Sequence, residues 1–380
     1  RLSPESHDKQ VSELVKLAKE KGIKNALSAV EKLESFHITD DFHRFVSEYI
    51  REGFTIPGVS EKEKMWKIMN MVLYEVLIKE EDSKENVKLE EIISGMEQFY
   101  ASMLSVSSRD DESWISLEIA NSNFSKEVVF YVAVPVSSKG LFEKSILSIF
   151  HNAKIEEKND DYNIFNETGH TAGSYALFEK NPIYPLKTYE SFSHDPLNLI
   201  ISGFSKVNRD GEGAAIQLLW SPVGDRYIKK YRKALDKIKE GVPLSEALDI
   251  PDSTGQEIVH TLKGMFSSSK PKEKEGGEPK KPEIIDQTVL EEINRKISTP
   301  IVRCNLRVIA SSATQEEAEE ILESIKSSFN QFNNTLGNSL KWHKSEKGNL
   351  RNLVKNFSFR IFDQDSFLPM NIREITSFMH

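Results

Sequence analysis

The sequence predicts an α+β protein: two ferredoxin-like (βαββαβ) modules of antiparallel sheet with helices on one face, plus an N-terminal helical lobe. Three observations predict this class. Residues 299–332 have the pattern of a half-buried strand followed by an amphipathic helix. The spacing of apolar residues changes from helical to alternating near Ser113. Strand and helix patterns beyond that point follow the order strand, helix, strand, strand, helix, strand.

The stretch Thr299–Phe332 carries the clearest pattern. Apolar side chains alternate with polar ones from Val302 to Val308, which is the period of a strand with one buried face. Thr314 and Glu317 have the spacing of a capping box at the start of a helix. This unit cannot cover its own apolar face, so it needs partner elements, and we predict that Ala214–Glu240 provides them.

The N-terminal part is predicted to be helical. Residues 1–52 form a helical segment of two or three short helices, the third of which begins at Asp40 and Asp41 because acidic residues favour a helix N-terminus. The residues around Pro57-Gly58 form a linker. Residues 60–106 form a helical lobe, with one helix running from Trp66 to Leu77.

The two predicted modules occupy residues 113–212 and 213–366. A helical insertion at 241–298 interrupts the second module, whose last strands are Ser339–His343 and Phe357–Phe362. Within the insertion, residues 267–282 contain five Lys, three Pro and no other apolar residue, which indicates a disordered linker. Residues 367–380 would begin a connection to a following domain.

Composition limits the classes of function. A net charge of −9 argues against a dedicated nucleic-acid-binding protein. One cysteine, Cys304, allows no disulfide within the chain, and its place in the strand pattern predicts a buried thiol. The longest apolar run, Val128–Val136, is too short to cross a bilayer. We expect both ends, Arg1 and His380, to be cuts from a longer polypeptide.

No catalytic, cofactor-binding or metal site is predicted. The chain lacks a G-x-x-x-x-G-K-[ST] loop, and its glycine-rich stretches 169–174 and 211–213 are predicted hairpin turns. Asp160-Asp161 and the pair Asp363 and Asp365 are predicted to be solvated turn residues, and His43 a surface residue after two acidic ones. A hydrolase that uses Asp160, Asp161 and His170 remains a minor alternative.

A basic helix is the candidate interaction site. Residues 225–240 carry seven Lys and Arg against three acidic residues, inside a chain of net negative charge. Such a strip suits a phosphate backbone, an anionic lipid surface or an acidic protein partner. The alternative interpretation of this basic strip is a solvated helix face that binds no partner. The members of this basic strip are Arg226, Lys229, Lys230, Arg232, Lys233 and Lys237.

Several stretches resemble the N-terminal, non-motor region of conjugation and type IV secretion ATPases of the HerA/FtsK-related class, as in uncultivated bacteria of candidate phyla. The similarity covers roughly residues 90–380, and its motifs are structural. The stretches that carry it are Val128–Pro135, Phe142–Lys144, Asp160–Asn163, Asp195–Phe204, Glu212–Leu218, Thr314–Ala318 and Asn371–Ile375.

The resemblance implies a docking and assembly module without catalytic residues or cofactor, followed by a RecA-like motor with phosphate- and Mg²⁺-binding motifs. Implied partners are the chain's own motor, neighbouring subunits and inner-membrane secretion components, with weak contact to nucleic acid or anionic membrane. The implied location is the cytoplasmic face of the inner membrane, and oligomers are expected only in the full-length protein. The alternative is a freestanding cytosolic scaffold that binds a protein partner and has no motor.

Overall fold

Nine strands in the described part of the chain form one antiparallel sheet with the order β4-β1-β3-β2-β6-β7-β5-β8, and β9 pairs with the start of β7. The structure is a computed structural model. It describes residues 4–33, 35–59, 68–78, 89–106, 113–122, 127–158, 161–207, 211–242, 244–247 and 287–380. The strands are β1 Met71–Ile78, β2 Ile115–Asn121, β3 Val129–Pro135, β4 Ala153–Lys158, β5 His170–Phe178, β6 Gly213–Pro222, β7 Ile301–Ser312, β8 Leu340–Ser345 and β9 Leu368–Asn371.

Helices cover both faces of this sheet. We call the face with Val302 and Leu306 the front face and the opposite one, with Glu118 and Arg307, the back face. The described helices are α1 Pro4–Lys21, α2 Ile23–Leu33, α3 Phe36–Arg51, α4 Leu89–Met103, α5 Lys139–Ile149, α6 Pro196–Ser202, α7 Arg226–Lys239, α8 Leu244–Ala247, α9 Gln287–Lys296, α10 Gln315–Ser328, α11 Lys347–Ser358 and α12 Ile372–Phe378.

The element order repeats. Strand, helix, strand, strand, helix, strand runs once from β1 to β4. The same order runs from β5 to β8 through α6 and α10, with α7, α8 and α9 inserted between β6 and β7. In each half the strands lie in the order fourth, first, third, second, counted inward from the sheet edge. The halves join through β2 and β6, which are the second strands of their respective repeats. One continuous sheet therefore carries two copies of one element order.

The front face carries the largest apolar core. Alternate residues of the central strands, such as Ile119, Ile216 and Leu306, pack against α4, α5, α6, α10 and α12. Trp220 on β6 is fully buried and meets the ring of Tyr100 on α4 edge to face. Burial of such aromatic side chains supplies much of the hydrophobic stabilisation of a core.

The back face is covered by α11 and by the N-terminal helices α1–α3. These helices share a second apolar core with Trp114, Leu219 and Phe359 of the sheet side. Ser35 caps α3, because its side chain accepts a hydrogen bond from the Ile38 amide. Asp40 and Asp41 therefore lie in the second turn of α3, and the prediction that they begin this helix is wrong.

The region 60–106 differs from its helical prediction. Residues 71–78 form β1, which pairs on both sides with β3 and β4. A short apolar run fits a buried strand as well as a helix, and only pairing with β3 and β4 decides between the two. Because β1 belongs to the first repeat, the strand pairing groups the elements differently from the predicted modules 113–212 and 213–366.

Further predictions meet mixed outcomes. Pairing of β6 with β7, from Gly213↔Ser311 to Pro222↔Val302, confirms the partner predicted for Thr299–Phe332. The Glu317 amide donates to the Thr314 hydroxyl, which confirms the start of α10. The strand predicted at Phe357–Phe362 is wrong, because α11 continues to Ser358 and no strand follows directly. The linker 267–282 lies outside the described residues.

Candidate interaction surface

Helix α7 forms because its sequence separates apolar from basic residues. Its buried face consists of Tyr227, Tyr231, Ala234, Leu235 and Ile238, at the three- and four-residue spacing of one helix side. This face packs on Ile293 and Ile297 of the α9 region and on Ile301 at the start of β7. Helix α7 thus packs on an apolar core at one end of the sheet, separate from the cores of the front and back faces.

The structure brings the six predicted strip residues to the outer side of α7. Lys229, Arg232, Lys233 and Lys237 are exposed, whereas Arg226 and Lys230 are half-buried. Lys229 makes an exposed ion pair with Asp225, at 2.7 Å between Nζ and Oδ2. Lys229, Lys233 and Lys237 follow each other at four-residue intervals, so their ammonium groups emerge about 6 Å apart along one side of the helix.

The strip has the chemistry of an electrostatic docking surface. Exposed ammonium and guanidinium groups bind carboxylates and phosphates, and salt screens that attraction. Within the described residues of the insertion, no large apolar side chain is exposed. A helix that lies in a membrane interface inserts an apolar face, and the apolar face of α7 is already buried in the protein. The strip therefore offers charge without an apolar anchor.

A second polar cluster lies buried on the back face, and its centre is Arg360. The guanidinium binds Glu118 with Nε at 2.8 Å and Nη2 at 2.9 Å, and Asp161 with Nη1 at 2.6 Å. Burial disfavours the charge on Arg360, but Asp161 and Glu118 outweigh it and hold the pKa of Arg360 well above its usual value. Arg360 also has a left-handed backbone, with φ of 48° directly after α11, where glycine is more common.

The cluster continues across the middle of the sheet. Glu118, Gln217 and Arg307 are neighbours on β2, β6 and β7. Gln217 donates to Glu118 at 3.0 Å, and Arg307 donates to Gln217 at 3.0 Å. Burial lowers the pKa of Arg307 to about 10. Each polar group in this row has a partner, so the row stabilises the joint between the two halves.

Asp161 also ties the N-terminal helices to the sheet. Arg44 of α3 donates to the Asp161 carbonyl oxygen at 3.2 Å, and Asn163 donates to Asp41 at 3.2 Å. Burial raises the pKa of Asp40 to about 6, and the nearby Arg44 opposes this shift. Burial also opposes the charge on Asp161, but Arg360 outweighs it and lowers the pKa of this carboxyl group.

A third charged contact is fully enclosed. Lys296, the last residue of α9, binds Glu374 of α12 at 2.5 Å, and neither side chain has any exposed surface. Burial lowers the pKa of Lys296, with Glu374 acting in the opposite direction. Glu374 also accepts from the amides of Leu186 and Asn371, at 2.8 Å each. This contact fastens the helical insertion to the C-terminal helix.

Several predicted candidates have structural roles. The predictions of a solvated Asp161 and a surface His43 are wrong, since Asp161 is enclosed by Arg360 and His43 is 5% exposed. Both positions are covered by elements remote in sequence. Asp363 accepts from the amides of Asp365 and Ser366 and so closes a turn. Asp160 lies outside the described residues.

The glycine-rich stretches allow close backbone packing. A Cβ atom on Gly213 would collide with the carbonyl oxygen of Ile164, and one on Gly169 with that of Ser312. Gly173 lies inside β5, so the hairpin turn predicted over 169–174 is wrong. Cys304 is buried as predicted, and burial raises the pKa of its thiol.

The described residues contain no group of three or more His, Cys, Asp or Glu side chains arranged to hold a metal ion. No helix among them is both long and apolar enough to cross a bilayer.

The Arg360 cluster escaped sequence reasoning because its members are far apart along the chain. Glu118 and Arg360 are separated by 242 residues. The local pattern gives no signal, because Ser116 and Glu118 alternate with Ile115, Leu117 and Ile119 as in a strand with one solvent-exposed face. That this polar face is buried follows only from the elements that cover it.

No curated protein matches the sequence significantly. One family matches residues 63–380, which leaves only the N-terminal helices α1–α3 and the residues around them outside the match. The chain therefore belongs to the family described as a domain of unknown function (DUF8128).

Proposed function

We propose that this chain is the non-catalytic N-terminal docking and assembly module of a membrane-associated conjugation or type IV secretion-like ATPase, which takes part in DNA or protein transfer. The observation that carries the proposal is the contrast between two kinds of charge. The buried charge of Arg360 is paired with Glu118, and that of Lys296 with Glu374, whereas the basic strip on α7 faces outward. A binding platform needs the second kind and has no need of a catalytic centre.

We further propose that each half of the sheet is a ferredoxin-like module. The repeated order of strands and helices supports this proposal, as does the shared strand order of fourth, first, third, second. Two such modules joined edge to edge form a wide, stiff platform. Helix α7 follows β6 and packs on a separate apolar core with Ile293, Ile297 and Ile301.

Partners and location follow from the same proposal. The module would join its own motor domain to neighbouring subunits or to inner-membrane secretion components, at the cytoplasmic face of the inner membrane. The basic strip would supply the electrostatic part of this docking, with weak contact to nucleic acid or anionic lipid. The sequence stretches that resemble secretion ATPases support this assignment.

Two measurements test the proposal. The first is the gene sequence beyond the codon for His380, where a G-x-x-x-x-G-K-[ST] motif is expected within about a hundred codons. Its absence from a continuing reading frame would end the motor hypothesis. The second is binding to DNA and to anionic vesicles in low and high salt. Reversal of charge at Lys229, Lys230 and Lys233 should weaken any salt-sensitive binding, and unchanged binding would reduce the strip to a solvated helix face.

A freestanding cytosolic scaffold that binds a protein partner and has no motor is the second candidate function. The partner would bind the exposed basic strip on α7 and the lobe of helices α1–α3, which shares an apolar core with the sheet. A gene that ends at the codon for His380, together with a protein partner that binds the lobe, would support this function.

A further inference from the structure

Charge is segregated along the strand pair β6 and β7. The pair extends from Pro222↔Val302 at one end to Gly213↔Ser311 at the other, which is a length of about 30 Å. Helix α7 begins four residues after Pro222 and packs on Ile301, so the basic strip lies at the first end. Helix α10 begins at Gln315, so its N-terminal turns lie at the second end.

The second end is acidic. Glu316 and Glu320 are exposed on one side of α10, four residues apart. Glu167 is exposed on the loop before β5. Gly169 in the same loop lies close to the carbonyl oxygen of Ser312. We call Glu167, Glu316 and Glu320 the acidic corner. Behind it, the Ser312 hydroxyl donates to the Glu317 carboxylate at 2.9 Å, and its oxygen lies 3.3 Å from a carboxylate oxygen of Glu212.

Among the described residues, two lysines on or beside α10 pair with carboxylates outside this corner. Lys344 is committed to Glu319 at 2.8 Å, and Lys326 to Glu323 at 2.6 Å. Neither contact involves Glu316 or Glu320, which form no ion pair within the part of the chain that the structure describes. Lys233 and Lys237 at the opposite end likewise form no ion pair there. One chain thus presents complementary charges at opposite ends.

We propose that copies of this chain associate head to tail, with the basic strip of one copy against the acidic corner of the next. The proposal rests on the proposed function, in which the strip is a docking surface, and it names a second copy as the partner. Patches about 30 Å apart at opposite ends cannot meet within one copy, but they match between copies. Such a contact is heterologous, so repetition gives a ring or a filament.

The contact is electrostatic and therefore depends on salt. No large apolar side chain is exposed in the described insertion, so hydrophobic burial does not anchor the strip. Exposed ion pairs are individually weak, and like charges placed across an interface oppose binding. Association should be strong at about 0.05 M salt and largely lost at about 0.5 M, where screening acts over a few ångströms.

Sedimentation velocity of the whole chain tests the proposal. The basic-end variant is Lys229→Glu/Lys233→Glu/Lys237→Glu, and the acidic-end variant is Glu316→Lys/Glu320→Lys. Each variant alone should associate at least about tenfold more weakly than the unmodified chain, because its two ends then carry charge of the same sign. An equal mixture of the two variants should regain association, because the variant with two acidic ends then alternates with the variant with two basic ends.

Matched controls separate this contact from general effects of charge and folding. Lys21→Glu/Lys24→Glu/Lys32→Glu changes the net charge as much as the basic-end variant does, at exposed sites on α1 and α2. It should leave association unchanged. Circular dichroism and thermal unfolding of every variant should match the unmodified chain, because the altered side chains lie on the surface.

Three outcomes would overturn the head-to-tail contact: no self-association in low salt, association that neither reversal affects, or no recovery in the mixture. Binding to DNA or to phosphatidylserine-containing vesicles through the strip, without self-association, would refute the second copy as partner and leave the docking function standing. If reversal of the strip changes neither binding nor self-association, both proposals fail.

Discussion

Substitution of Arg360 by Met tests whether the back-face cluster stabilises the joint between the two halves and the N-terminal helices. Arg360 is 6% exposed and makes four hydrogen bonds of 3.0 Å or less to Glu118 and Asp161. Its loss leaves the Glu118 carboxylate buried without its cationic partner. Removal of one partner from a buried ion pair costs about 3–5 kcal/mol.

The choice of Met isolates the electrostatic effect. Met retains the volume of the side-chain stem and also the strain of the left-handed backbone at residue 360, which a glycine would relieve. The free energy of unfolding should be measured with denaturant by circular dichroism and by tryptophan fluorescence, since Trp220 lies in the core. A loss of about 3–5 kcal/mol is expected by both probes.

The control is Arg295→Met. Arg295 pairs with Glu292 at 2.9 Å, but its side chain is 62% exposed. Exposed pairs contribute about 0–1 kcal/mol, so this variant should be nearly neutral. A second check is Glu118→Gln in the Arg360→Met background, which removes the stranded charge and should recover part of the lost stability. If Arg360→Met costs less than about 1 kcal/mol, or if Glu118→Gln brings no recovery, the reasoning about a buried charge is refuted.

Three further predictions concern other buried polar groups. Lys296→Met strands the carboxylate of Glu374 and should cost about 3–5 kcal/mol in denaturant unfolding, and Glu374→Gln in the same chain should recover part of it. Asn371→Ala removes the cap of α12 and should cost about 1–2 kcal/mol, with a neutral result contradicting the capping role. Burial raises the pKa of Asp40 from 3.8 to about 6. The folded state therefore holds this proton more tightly than the unfolded state, and the resulting stabilisation is complete below pH 3.8 and is lost as pH rises through about 6. Asp40→Asn should therefore gain stability relative to the unmodified chain between about pH 4 and pH 7, and parallel pH profiles would contradict this assignment.

Buried, paired charges and exposed charges should respond differently to substitution. Substitutions at Arg360 and Lys296 should act on stability, because both groups are buried and paired. Substitutions at Lys233 and Lys237 should act on association and leave stability unchanged, because both groups are exposed. If substitution of these exposed lysines lowers the free energy of unfolding, the strip has a structural role, and the docking proposal is weakened.

Local patterns were enough to predict part of this molecule. Alternation from Val302 to Val308 and the cap at Thr314 predicted β7 and α10, since both signals depend on residues a few positions apart. The amphipathic pattern of residues 225–240 likewise predicted α7 and the outward position of its lysines. The helix predicted from Trp66 to Leu77 is wrong, because a short apolar segment fits a helix and a strand alike and only pairing with β3 and β4 makes residues 71–78 a strand.

The sequence by itself determined the α+β composition and the exposed basic helix, because each follows from the spacing of neighbouring residues. It did not determine the repeats that begin at β1 and β5, because β1 was predicted as part of a helix. Only the tertiary structure decided that both repeats share one sheet and that Glu118 meets Arg360. It also decided that helices α1–α3 cover the back face and so bury His43 and Asp161. A buried charge needs a partner, but no local pattern specifies which distant residue supplies it.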